Sequence, residues 1–179
     1  RKEGKLSCLI LVVSSDRGLC GGLNSNIVKA VKKKIQQLQD ENKTITIVCI
    51  GKKGFDLLSG LYEKMFNFEI KCTQIADIEY KSAEDLGKRV LSSFYSNDFQ
   101  ECYLLYNYFR SVISQEVKIE TLIPYSRLED EDFNKSDITN SFFEYEPSEE
   151  EVLSKILPKN FIVQMYKAVL ESRASEQGA

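Results

Sequence analysis

Ser15-Asp16-Arg17-Gly18-Leu19-Cys20-Gly21-Gly22-Leu23-Asn24 follows, after Ser14, on the apolar run Leu6-Ser7-Cys8-Leu9-Ile10-Leu11-Val12-Val13. A continuous apolar run of this kind marks a strand buried on both faces. A glycine-rich elbow after such a strand is a common phosphate site in α/β proteins, because backbone amides at the next helix start point at the anion. This elbow departs from the phosphate codes. Gly18, Gly21 and Gly22 read G-x-x-G-G where a dinucleotide fingerprint needs G-x-G-x-x-G, and Leu19 would crowd a bound pyrophosphate. The second strand is followed by Gly51-Lys52-Lys53, not by the acid that a ribose requires, and no Gly-Lys-Ser/Thr tripeptide of a P-loop occurs.

Working outward, the first half alternates strand and helix. Residues 25–41 read as a helix, with Ile27, Val31, Ile35 and Leu38 on one stripe and Lys32, Lys33 and Gln36 opposite. Asn24 or Ser25 is the expected cap. Residues 44–50 form a β-branched strand that Gly51 ends, followed by a short helix over 52–59. A third strand is expected over 66–72. A second long helix is expected over 82–96, with Ser82 as cap and Asp85 at the capping-box position.

Then the pattern changes. Residues 101–108 and 112–123 are strand-like, and their short link allows a hairpin but no helical crossover. Pro124 closes the hairpin. Residues 126–140 are polar and acidic and read as a mobile loop, and 142–145 as a short strand. Ser148 and Glu151 form a capping box that opens a helix, and Pro158 is expected to break or kink it. Ile162, Met165, Val169 and Leu170 then share one side of a final helical stretch. The expected fold class is α/β: a three-layer Rossmann-like domain with a mixed sheet, parallel early and antiparallel late, and helices on both faces.

Composition excludes several functions. Net charge is −3, so no global field recruits nucleic acid or an anionic membrane. Local lysine clusters at 32–34 and 52–53 read as solvated surface. None of the five cysteines is spaced CxxC, which signals neither a zinc site nor a redox dithiol. No signal peptide is evident, and no apolar run reaches the roughly 18 residues of a membrane span. Histidine is absent, which removes the usual general base and every histidine triad. Cys20 could serve as a thiolate near a helix start with Arg17 lowering its pKa, but no base accompanies it; a small residue packed in a tight turn is the alternative. The acids at 129–132 are contiguous and lack the alternating spacing of a calcium loop. No cofactor is expected.

Several separated blocks, in order, resemble the gamma subunit of the F-type ATP synthase. They are residues 14–24, Ile50-Gly51-Lys52-Lys53-Gly54, Leu104-Leu105-Tyr106-Asn107-Tyr108-Phe109-Arg110-Ser111 with Ile113-Ser114-Gln115 and Leu122-Ile123-Pro124, Tyr145-Glu146-Pro147-Ser148-Glu149-Glu150-Glu151-Val152-Leu153, and Ala174-Ser175-Glu176-Gln177. The resemblance implies a non-catalytic rotor domain of the central stalk, transmitting rotation between the proton-driven c-ring and the catalytic alpha/beta ring. It implies as partners the alpha and beta subunits, the c-ring and the small stalk subunit (epsilon, or delta in mitochondria), with no nucleic acid. It implies a place peripheral to the inner membrane, facing the bacterial cytoplasm or mitochondrial matrix. Full members add long terminal helices that wind into a coiled coil. Residues 1–179 are expected to be the single globular domain, with those helices truncated. The elbow, with Arg17, Gly18, Leu19 and Cys20, is expected to lie toward an acidic loop of the catalytic beta subunit; Arg17 pairs either with that loop or with an acid of its own domain. The loop bearing Glu129 and Asp130, with Phe133 and Phe142 at its edges, is the expected foot near the c-ring. A small Rossmann-like nucleotide-binding enzyme, and a regulatory domain acting through Cys20, are the alternatives.

Overall fold

A computed structural model describes residues 4–17, 22–67, 75, 78–111, 115–125 and 146–178. Four strands, β1 (Ser7–Val13), β2 (Thr44–Ile50), β3 (Glu101–Phe109) and β4 (Gln115–Ile123), form one sheet in the order β2-β1-β3-β4. The first three are parallel, with Val13 opposite Ile50 on one side and Tyr106 on the other. The hairpin β3–β4 is antiparallel, with Phe109 opposite Gln115. The mixed sheet anticipated from the strand spacing is therefore present.

Helices cover both faces, because the alternation within β1 sends side chains to both. Cys8, Ile10 and Val12 pack under α1 (Leu23–Asp40) and α2 (Lys52–Ser59), against Ile27, Val31, Ile35, Leu38 and Leu58. Leu9, Leu11 and Val13 pack under α3 (Tyr80–Tyr95) and α5 (Leu157–Gly178), against Leu86, Val90, Phe161, Met165 and Val169. α3 and α5 meet closely at Gly87, where a Cβ would stand 2.8 Å from Cγ1 of Ile162.

Three expected caps are corrected. α1 starts at Gly22 with no side-chain cap, and Asn24 is buried inside the first turn, where it bonds to the elbow. Ser25 lies within the first turn too, its hydroxyl donating to the Gly22 carbonyl at 3.3 Å. α3 begins at Glu79–Tyr80, so Ser82 lies inside the helix, and Asp85 pairs with Lys81 at 3.3 Å instead of capping. Ser148 does cap the short helix α4 (Glu149–Glu151), accepting from the Glu151 amide at 3.2 Å. The expected third strand over 66–72 reduces, among the described residues, to a bridge between Phe66 and Ile47. The expected strand 142–145 and loop 126–140 lie outside the described residues.

Pro158 does not end its helix. A π turn, Val152–Ile156, joins α4 to α5. In an i→i+5 pattern the amide of residue 158 would serve the carbonyl of Leu153, and proline has no such amide. The Tyr95 hydroxyl of α3 donates to that carbonyl in its place. Leu170 is also corrected: it is 46% exposed, while Ala168, Ser172 and Ser175 fill the buried face.

Candidate functional site

In an open α/β sheet, ligands bind beyond the carboxyl ends of the strands, where strand order reverses. Here that place lies between β1 and β3. The chain's own elbow and helix ends occupy its surroundings, and each bond follows from a residue type suited to it.

Ser14 extends β1 by donating its amide to the Ile50 carbonyl at 2.8 Å. The elbow then caps α2, whose first amides are orphaned like those of any helix start. The amide of Lys52 donates to Oδ1 of Asp16 (3.0 Å), that of Lys53 to the Ser15 carbonyl (3.0 Å), and that of Gly54 to Oγ of Ser14 (2.8 Å). This close approach dictates the glycines. Gly51 has φ +101°, and a Cβ there would sit 2.2 Å from the Ser14 carbonyl oxygen; at Gly54 it would sit 2.5 Å from the Ser14 hydroxyl. The block Ile50–Gly54 is thus a packing requirement, and the amides that might have bound an anion at α2 are used internally.

On the other side of the elbow, Ser15 is buried and donates to Asn24 Oδ1 at 2.8 Å, while Asn24 donates through Nδ2 to the Arg17 carbonyl at 3.0 Å. α5 closes the arrangement from below. Glu176 accepts from the Arg17 Nε at 2.7 Å and from the Asp16 amide at 3.1 Å. Arg173 donates through Nε to the Ile75 carbonyl at 2.7 Å and through Nη2 to the Ile78 carbonyl. Oδ1 of Asp16 also accepts from the Ile75 amide at 3.0 Å. Asp16 therefore ties the elbow to α2 and to the turn at Ile75, and Glu176 ties the elbow to α5.

Of the site residues expected from sequence, Arg17 is described. It pairs with an acid of its own chain, Glu176, while its side chain stays 65% exposed. Gly18, Leu19, Cys20, Glu129, Asp130, Phe133 and Phe142 lie outside the described residues. The residues that sequence reading missed are Glu176 and Arg173. Both are distant from their partners in sequence, 159 positions for the Arg17–Glu176 bond, and no local pattern marks such a pair.

No group of three or more metal-ligating side chains forms among the described residues. Cys8, Cys49 and Cys102 are buried. Burial, and then the bond to Glu101, push the Cys8 thiol up to about 12, and burial likewise raises Cys102. Both are protonated at neutral pH and poor nucleophiles.

A second polar cluster lies at the opposite, amino end of the strands. Glu101 accepts from Tyr103 Oη (2.6 Å), from Lys43 Nζ (3.0 Å to each oxygen) and from the Cys8 thiol (3.3 Å). Lys34 reaches over the Tyr103 ring, 3.9 Å from its centre. Burial pushes the Glu101 carboxyl up, but the bonds from Tyr103, Lys43 and Cys8 outweigh it and leave the pKa below the ordinary value. A depressed carboxylate stabilises the fold above its unfolded pKa, and that contribution disappears as pH falls through the folded one. Glu101→Gln should therefore cost about 1–2 kcal/mol at pH 7. The gap should close on acidification below about pH 4. Urea midpoints at the two pH values check this; a gap independent of pH would refute the carboxylate's role.

With this geometry in view, the relatives are informative. The family model described as ATP synthase matches residues 1–179. The ATP synthase gamma chain of Pelagibacter ubique is 40% identical over 171 residues, covering 96% of this chain and 57% of that relative. That of Geotalea daltonii is 38% identical over 181 residues, covering 100% of this chain and 59% of that relative. This chain thus spans 57–59% of the length of these curated relatives. A chain in the solved central stalk and c-ring of the Tetrahymena thermophila mitochondrial ATP synthase is similar in structure, with a TM-score of 0.69 and 27% identity over 96% of this chain and 72% of that one. A family model that spans the whole chain, together with these relatives, establishes that the chain belongs to the ATP synthase family as a homologue of its gamma chain.

Proposed function

We propose that the chain is part of the central stalk of a rotary ATP synthase, without catalysis of its own, and that it transmits rotation between the c-ring and the catalytic alpha/beta ring. The observation that carries this reading is the similarity to the Tetrahymena central-stalk chain over nearly the whole of this one. The chain's own chemistry supports it. The first amides of α2 are bound by Asp16, Ser15 and Ser14, and burial holds the Cys8 and Cys102 thiols protonated, so neither the start of α2 nor these two thiols offers a site to the alternative readings. No described helix is long and apolar enough to cross a membrane.

Within this reading the elbow, with Arg17, Gly18, Leu19 and Cys20, faces an acidic loop of the beta subunit. Arg17 is exposed enough to make a second contact beyond Glu176, and such a rim pair contributes about 0.2–1 kcal/mol. Glu129, Asp130, Phe133 and Phe142 form the foot toward the c-ring. The small stalk subunit is the partner to test first. Calorimetric titration with that subunit from the same source should give stoichiometric binding, while ATP and NAD titrated alone give none. Saturable nucleotide binding with a silent subunit would overturn the reading in favour of an enzyme.

A further inference from the structure

The grip on α5 changes in kind along its length. Up to Val169 it is held by Phe161, Met165, Ala168 and Val169, all fully buried against the sheet and α3. Apolar burial resists separation and any large rotation that would expose the buried stripe, but it is non-directional and fixes the angle of a helix about its axis less sharply than a hydrogen bond does. In the last two turns, small buried residues (Ser172, Ser175) bring the helix close to the strand ends, and directional bonds take over. Glu171 accepts from the Phe109 amide of β3 at 3.2 Å. Arg173 reaches the carbonyls of Ile75 and Ile78. Glu176 accepts from the Asp16 amide and the Arg17 side chain, and its own carbonyl accepts from Arg17 Nη2 at 3.1 Å. At 3.6 residues per turn, positions 171 and 173 leave the helix on roughly opposite sides, and 176 leaves on the side of 173.

We propose that Glu176 is the positioning residue of a rotational lock, which delivers torsion on α5 to the sheet. Its tether differs from the other two because it leads onward. Asp16, whose amide it holds, in turn holds the Lys52 and Ile75 amides, so one carboxylate joins α5 to β1, α2 and the turn that Arg173 also grips. The bond to the Asp16 amide matters more than the ion pair. The Glu176 side chain is 12% exposed and shielded, whereas Arg17 is 65% exposed and its charge is screened. The inference rests on the stalk reading above.

The test uses the complete ATP synthase, assembled with a full-length gamma chain and reconstituted in liposomes. ATP-driven proton uptake and ATP hydrolysis are measured on the same sample. Glu176→Ala should retain hydrolysis and lose pumping per ATP. Amide exchange across residues 172–177 should quicken about tenfold, because that segment opens without unfolding the rest. Glu176→Gln keeps an acceptor oxygen for the Asp16 amide and should restore both readouts, an outcome that a bare charge effect would not give. If Glu176→Ala does not assemble, Arg173→Ala removes a different tether of the same lock and should show the same loss. Pumping per ATP equal to wild type in the variant that assembles would overturn the lock. Wild-type enzyme that hydrolyses without pumping would instead sink the stalk reading, so the two failures are distinguishable.

Discussion

Gly51→Ala should destabilise the fold by about 3–4 kcal/mol, more than any other single added methyl at the described glycines. Two separate costs meet at this position. The backbone holds φ +101°, a region that L residues rarely adopt and that costs them about 1–3 kcal/mol. The added methyl would also stand 2.2 Å from the Ser14 carbonyl oxygen and 2.7 Å from its carbonyl carbon. These are backbone atoms, so no rotamer change relieves the contact. Ser14 cannot retreat without breaking its amide bond to Ile50 and its hydroxyl bond from Gly54. For a chain of this size the expected fall in Tm is about 10 °C. Gly60→Ala is the matched control. Gly60 has φ −69° in a helical conformation with nothing within 4 Å of its added Cβ, and alanine there should be neutral or stabilising by about 0.4–1 kcal/mol. Thermal unfolding of both variants decides the matter. If Gly51→Ala and Gly60→Ala unfold within a degree or two of each other, the elbow is not the rigid junction described above.

The same junction shows which parts of this molecule could be read from sequence. The strands at 44–50 and the helix at 52–59 were legible to the residue, because each is a short run with its own periodicity and a glycine punctuating the boundary. The stripe Ile27, Val31, Ile35, Leu38 was legible for the same reason, since a helix buries one face every 3.6 residues. What failed were side chains with a choice. Asn24 is a good cap by propensity, yet its amide satisfies Ser15 and Arg17 inside the elbow, where leaving those groups unpaired would cost more than an uncapped exposed helix start. Leu170 looked like core because it is apolar, while Ser172 and Ser175, which do face the core, are polar and small. Their burial reflects how near α5 lies to the strands, a tertiary fact with no local signature. The candidate site was half legible. The spacing of Gly18, Gly21 and Gly22 argued against a phosphate, but Gly22 does not supply the positive φ of a sharp turn, since it holds φ −82°, and Gly18 and Gly21 lie outside the described residues. That Glu176 closes the elbow depends on a contact 159 residues away in sequence, which one sequence does not contain.

Phe161→Ala should cost about 3–5 kcal/mol, the range for emptying a fully buried aromatic site. Phe161 has no exposed surface and is, with Tyr106, among the largest wholly buried side chains. Its ring lies within van der Waals reach of the position a Cβ would take at Gly87 of α3, 3.7 Å away, so it fills the crossing of α3 and α5 as well as the sheet beneath. Collapse into the void is restricted on the α3 side, where Ile162 already stands 2.8 Å from that same position and the helices can come no closer. The cost should therefore fall in the upper part of the range, because a site that cannot collapse retains its cavity. Phe161→Leu keeps most of the volume and should cost only about 1–1.5 kcal/mol. Urea midpoints at unchanged m-value test both. A loss below about 1.5 kcal/mol for the alanine variant would mean that α5 settles onto the sheet without its aromatic anchor. In that case the helix is held chiefly by its carboxyl-terminal bonds, and Glu176→Ala should then release the whole of α5 rather than its last two turns.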